Sequence, residues 1–236
     1  MYRRALTRAL LPAMYPALSS GLTTTADCED SAPPPHVLVM GACGVDYIAA
    51  VEAYPSPDAK VRTNQLRIAG GGNAANTAVT LARLGVTTEL LSKIGDDGIS
   101  AEIRRDLHQN HVDTKFLFTE KDSNSPLTYV IVDTSKQTRT CIHTPMKNEM
   151  SQQEIEAVIA QIRTQHTSPE WIHFDSRHTE ASAALASYVS TFKIPVSIDV
   201  EKHRPHLEKL LPFSDVIFTN EHFPALHARS IKGENK

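Results

Sequence analysis

Three glycines followed by two amides three residues apart form the most chemically suggestive stretch of this sequence, Ala69-Gly70-Gly71-Gly72-Asn73-Ala74-Ala75-Asn76. Glycine lets backbone approach a small ligand closely. A helix opening here presents unpaired N–H groups in its first turn, and Asn73 and Asn76 share a face of that helix. Amides both donate and accept, which suits hydroxyl groups rather than phosphates. Asp46 follows Gly41-Ala42-Cys43-Gly44-Val45, just past the apolar run Val37 to Met40. Strand ends of this kind are where α/β sheets hold ligands, and one carboxylate can accept from two neighbouring hydroxyls. Together these residues point to a polyol site.

The same glycines allow a second reading. Gly70, Gly72 and Ala75 match the dinucleotide spacing G-x-G-x-x-A, with Glu89 and Asp96 as nominal ribose acids. That oxidoreductase reading requires a buried apolar strand before the glycines, and Thr63 to Ile68 is instead interrupted by Asn64, Gln65 and Arg67. Eleven histidines invite a metal site. The pairs His108/His111 and His203/His206 lack the H-E-x-x-H arrangement and a third ligand. No G-x-S-x-G elbow and no G-x-x-x-x-G-K-[ST] loop occurs. Cys28, Cys43 and Cys141 are too scattered for a zinc cage or a disulfide framework, which fits a reducing compartment.

The elements that must position these groups alternate along the chain. Val37 to Met40, Glu89 to Ile94, Trp171 to Phe174, Pro195 to Val200 and Val216 to Thr219 read as short apolar strands. Between them the spacing predicts helices. One runs over Asn73 to Leu84 with Gly85 as its stop, and another is marked by Ile99, Ile103 and Leu107. A third carries Ile155, Val158 and Ile162 behind a Ser151/Glu154 capping box. A fourth bears a stripe from Ala181 to Phe192, and a short one holds Leu207, Leu210 and Leu211. This rhythm predicts a parallel α/β sheet covered on both faces. Lys60 to Ile68, and a hairpin of Leu127 to Val132 with Arg139 to His143 turning near Ser135 to Gln137, are half polar. They read as a small lid sheet wetted on one side.

With 236 residues and a formal net charge of −3, the chain has no basic footprint for nucleic acid. No apolar stretch is long enough to span a membrane. Residues 1–35 hold Arg3, Arg4 and Arg8 before the first acid, Asp27. They read either as an organelle transit peptide or as a disordered leader, giving a cytoplasmic protein or, with a transit peptide, a mitochondrial or plastid one.

From about Val37 to about Glu221 the sequence resembles the ribokinase (PfkB-type) family of sugar kinases, its ketohexokinase-like branch most closely. The resemblance rests on Gly41 to Asp46, Tyr54 to Arg62, Gly71 to Asn76, Leu81 to Gly85, Thr138-Arg139-Thr140, Trp171-Ile172-His173 and Asp199 to Lys202. It implies a ribokinase-like three-layer α/β domain over residues 36–227, with lid strands at about 60–69 and 127–143. It further implies ATP-dependent phosphorylation, with Mg²⁺, of a hydroxyl on a small sugar or related polyol. Asp46, Asp58, Gly72, Asn73 and Asn76 would hold the sugar, and Arg139 on the lid would approach it. Asp199, Glu201 and Asn220 would face the phosphates, and lid strands would pair two copies into a homodimer.

Two departures stand beside the resemblance. Asn220-Glu221-His222-Phe223 has Phe223 where the family's Asn-x-x-Glu motif has glutamate. The second family signature, Gly-Ala-Gly-Asp, which carries the catalytic base, does not occur. The expectation is therefore a fold incomplete at its C-terminus, with 228–236 a polar tail and no catalytic residue assigned. Such a chain would be inactive and poorly stable, with Val216 to Thr219 as an apolar edge. The alternative is a non-catalytic chain that binds sugar or pairs through its lid.

Overall fold

The computed structural model describes residues 34–63, 65–164 and 168–231. The leader expected over 1–35 therefore lies outside the described residues except for Pro34 and Pro35. The strands are β1 (His36–Met40), β2 (Gly44–Val51), β3 (Gln65–Gly71), β4 (Thr87–Gly95), β5 (Leu117–Glu120), β6 (Leu127–Asp133), β7 (Thr138–Thr144), β8 (Trp171–Phe174), β9 (Val196–Val200) and β10 (Val216–Thr219). The helices are α1 (Asn73–Arg83), α2 (Gly98–Gln109), α3 (Gln152–Thr164), α4 (Thr179–Ser190), α5 (Leu207–Leu210) and α6 (Phe223–Ile231).

The main sheet has six parallel strands in the order β10-β9-β8-β1-β4-β5. Side chains of a strand alternate between faces, so β1 feeds two cores. Leu38 and Met40 join Ile155, Val158 and Ile162 of α3 and Leu185, Ala186 and Val189 of α4. Val37 and Val39 face the other way, onto Ala74, Ala75 and Ala78 of α1 and Ile103 and Leu107 of α2. Helices thus cover both faces, which makes the three layers. Leu185 and Val189 are fully buried, so much of the α4 stripe finds partners within the described residues, whereas Ala184 is exposed and Phe192, just past the helix end, is 60% exposed.

Local chemistry sets the helix ends. Glu154 accepts from Ser151 N at 2.7 Å while Glu154 N donates to Ser151 Oγ at 3.2 Å, closing the capping box ahead of α3. Gly85, with φ 87°, ends α1 by donating to Ala82 O at 3.0 Å. α6 crosses the boundary expected at 227/228: residues 228–231 are helical and not a polar tail. The helix starts because Asn220 Oδ1 accepts from His222 N and Phe223 N, and Phe223 is buried.

A second sheet of four strands, β3-β2-β6-β7, forms the lid. β2 pairs antiparallel with β3 and parallel with β6, and β6 and β7 form the expected hairpin, turning at residues 134–137. The first lid strand differs from expectation. β3 starts at Gln65, so residues 60–63 are loop, and it runs on through Gly70 and Gly71. Its partner β2 turns Asp46 from a loop residue into a lid residue.

Candidate functional site

The site assembles where the lid meets the C-terminal ends of β1 and β8 and the first turn of α1. Asp46 occupies the middle of a cross-strand row, opposite Ala69 on one side and Thr128 on the other. Thr128 in turn opposes His143, with its Oγ1 3.1 Å from His143 Nδ1. The Asp46 carboxylate lies against the backbone of Gly71, where an added Cβ would come within 2.4 Å of Oδ1. Gly72 is constrained twice: its φ is 92°, and a Cβ would meet Ala42 O at 2.4 Å. These two glycines let the lid strand pass into α1 directly beside the acid, carrying Asn73 and Asn76 with it. Asn73 is half-buried and Asn76 is exposed.

The first-turn N–H groups of α1 are largely spoken for, contrary to the expectation that they stand open. Ala74 N donates to Asp175 Oδ2 at 3.0 Å, Ala75 N to Ala42 O at 3.1 Å, and Asn76 N to Gly72 O at 2.9 Å. Asp175 follows β8, is nearly fully buried, and also accepts from Ala42 N at 2.8 Å and Arg177 N at 3.0 Å. Burial pushes its pKa up, while these backbone donors and nearby His178 pull it down. Asp175 therefore clamps the β1–β2 turn to the start of α1. What the turn offers a ligand is chiefly side-chain amide and carboxylate, the chemistry of hydroxyl recognition.

Other sequence candidates fall in different places. Asp58, with φ 62°, is exposed on the loop joining the far ends of β2 and β3. Arg139 opposes Val132 and Ala50, four residues along β7 from His143 and so about 13 Å from the Asp46 row. His143 is the lid side chain in that row, a residue outside the set of sequence candidates. Burial first, and then the Arg177 charge, hold its pKa below the usual value. The Cys43 thiol under the turn is pushed up to about 12 by burial and stays inert.

On the far side, Asp199 is half-buried on β9, its pKa raised by burial and then by Glu201. Asn220 is committed to backbone: its Nδ2 donates to Glu201 O at 2.6 Å and its Oδ1 caps α6. Both polar atoms of the Asn220 side chain are thereby engaged with backbone. Among the described residues no three metal-ligating side chains converge, and no helix is long and apolar enough to cross a membrane.

The dinucleotide reading fails on topology. The glycines end a lid strand antiparallel to its neighbour, not a buried strand of the parallel sheet. Glu89 is held by His36 and Lys115, and Asp96 accepts from Asp122 N and Ser123 N.

A parallel three-layer domain with a β lid over a glycine–asparagine turn defines a class of small-molecule phosphotransferase folds. The chain belongs to the pfkB family of carbohydrate kinases, whose model matches residues 34–223. Mouse ketohexokinase is 24% identical over 195 residues, covering 79% of this chain and 63% of that protein. An ATP-dependent ribose-1-phosphate kinase of Halopiger xanaduensis is 26% identical over 188 residues, covering 79% and 62%. The structure of Arabidopsis thaliana ribokinase complexed with ribose and ATP superposes with a TM-score of 0.65 at 20% identity, covering 80% of this chain and 61% of that one. The chain thus spans about three fifths of the length of these relatives.

Proposed function

We propose that this chain provides the acceptor half of a kinase that transfers the γ-phosphoryl group of ATP to a hydroxyl of a small sugar or related polyol. The observation that carries the reading is the Asp46 carboxylate seated on Gly71, beside Asn73 and Asn76. Asp46 accepts from acceptor hydroxyls and fixes which oxygen points toward the donor. Asn73 and Asn76 add donors and acceptors, and closure of the lid row Asp46-Thr128-His143 excludes water. Orientation of this kind is worth up to about 7–11 kcal/mol of a phosphoryl-transfer barrier.

When bound, ATP with Mg²⁺ supplies the phosphoryl group and neutralises its charge. Asp199 and Glu201 fit an outer role toward the metal: burial first, and then repulsion from Glu201, raises the Asp199 pKa, and a cation would relieve that repulsion. The sequence holds no Gly-Ala-Gly-Asp segment for the base, so a polypeptide of these 236 residues is expected to bind acceptor without turnover. The test is calorimetric titration of this chain with ribose and with fructose. One of them binds, and Asp46→Asn weakens it at least tenfold. Equal binding by the variant, or no binding of either sugar, sinks the assignment.

Association through the lid is the second part of the proposal. The row Ile68-Tyr47-Tyr129-Ile142 crosses all four strands on the face opposite Asp46. Ile68, Tyr129 and Ile142 are each about half exposed in that row, which supports pairing with a second copy.

A further inference from the structure

We propose that Arg177 and Arg204, with His143 above them on the lid, form an oxyanion site adjoining Asp46 that takes a phosphoryl or carboxylate group. Arg177 lies just after β8 and Arg204 just after β9, neighbouring strands of the main sheet. Their loops are fastened together, because Thr179 Oγ1 donates to Pro205 O at 2.5 Å. Three residues flanking the two arginines, Ser176, His178 and His206, hold left-handed backbone with φ of 58°, 50° and 64°. Non-glycine residues adopt that conformation at some energetic cost, and such strain concentrates at functional sites.

Neither guanidinium has a hydrogen-bond or ion-pair partner among the described residues. Arg204 Nε is buried and unpartnered, a costly state for a charged donor. The two arginines repel one another, and burial depresses the Arg204 pKa first, with Arg177 adding to it. Neighbouring carboxylates are engaged elsewhere. Asp175 is filled by three backbone N–H groups, and Glu149 Oε2 is 2.6 Å from His178 Nδ1. Glu201 is exposed and makes no ion pair with Arg204. Two adjoining planar forks without partners are suited to the oxygens of a phosphate or carboxylate. Asp46 and both arginines act electrostatically on His143, so the oxyanion would lie within reach of a bound polyol.

Such a group has two sources, an anionic substituent on the acceptor or the terminal phosphate of ATP, and only this choice of carrier rests on the kinase reading. The experiment titrates the 236-residue chain with inorganic phosphate, ribose, ribose 5-phosphate and MgATP. It compares wild type with Arg177→Gln and Arg204→Gln, and with Arg177→Lys and Arg204→Lys should the glutamine forms fail to fold. Inorganic phosphate should bind wild type and weaken at least tenfold in each glutamine variant, less in each lysine variant. Ribose 5-phosphate binding at least tenfold more tightly than ribose, with the advantage lost in the variants, assigns the anion to the acceptor. A loss confined to MgATP assigns it to the donor. Phosphate, ribose 5-phosphate and MgATP all binding the variants as they bind wild type would overturn the site. Asp46→Asn separates the two claims, since it should abolish ribose binding and leave inorganic phosphate untouched. Arg-dependent phosphate binding without any binding of ribose or fructose would leave this site standing and remove the polyol reading.

Discussion

His173 lies in β8 with Nδ1 2.9 Å from Ser197 Oγ, and burial lowers its pKa to about 4. The unfolded chain, titrating near 6.5, therefore binds more protons between those values. Stability is fully present above about pH 6.5 and drains away as pH falls toward 4. Urea unfolding at pH 7.5 and pH 5 should show wild type losing on the order of 2 kcal/mol more than His173→Gln. Equal losses in the two proteins would place the acid sensitivity elsewhere. At this scale the sequence was unevenly legible. Asp46, Asn73 and Asn76 were visible because glycines and strand ends carry recognisable chemistry. Asp175 was not, since its donors Ala42 and Ala74 lie 133 and 101 residues away, a closure no local spacing encodes. His143 could have been found by extending the strand alternation of the lid hairpin, which puts it on the Arg139 face.

α1 carries the amides proposed to hold the acceptor, and its start depends on Gly72, whose φ is 92°. Gly72→Ala should push the first turn away from Ala42 O, costing roughly 1–3 kcal/mol of stability and weakening sugar binding more than tenfold. Gly85→Ala makes an internal control at the other end of the same helix. Its φ is 87°, yet a Cβ there meets nothing within 4 Å. It should lose about 1 kcal/mol with sugar affinity unchanged, as paired thermal melts and titrations would show. If both variants lose affinity alike, general loosening of α1 and not the turn is responsible. The four longer sheet-covering helices were legible because a 3.6-residue apolar period survives in any context. β2 carries no legible strand signal because Asp46 and two alanines blur its alternation, and four-residue β5 is too short to carry a period.

For the molecule as a whole, the lid has two faces, and the outer one is the surface proposed to pair two copies. Tyr47 and Tyr129 approach with ring centroids 6.0 Å apart. A lysine in place of Tyr129 would put charge at the centre of any apolar contact between copies. Sedimentation of wild type should give a dimer and Tyr129→Lys a monomer, with ribose affinity retained. A monomeric wild type would remove the pairing proposal. A further exposed apolar strip belongs to β10, at the edge of the main sheet, where Val216, Ile217 and Phe218 are 36%, 46% and 38% exposed. An edge of that composition invites further strand pairing, in line with the apolar edge expected from the sequence.

The run Gly70-Gly71-Gly72 has a consequence for how this sequence can drift. It looks like low-complexity filler, yet each glycine is reserved by a different part of the chain. The space beside Gly70 belongs to the Asp106 carboxylate of α2, that beside Gly71 to Asp46, and that beside Gly72 to the backbone of Ala42. A side chain at 70 or 71 becomes tolerable only after an acid elsewhere has shortened or turned away. Position 72 has no such escape, because its neighbour is main chain. Substitution at 71 is therefore ordered in time: Asp46 must first leave its place against the strand, and with it the proposed acceptor contact, so neutral wandering through this triplet is restricted while that carboxylate is needed.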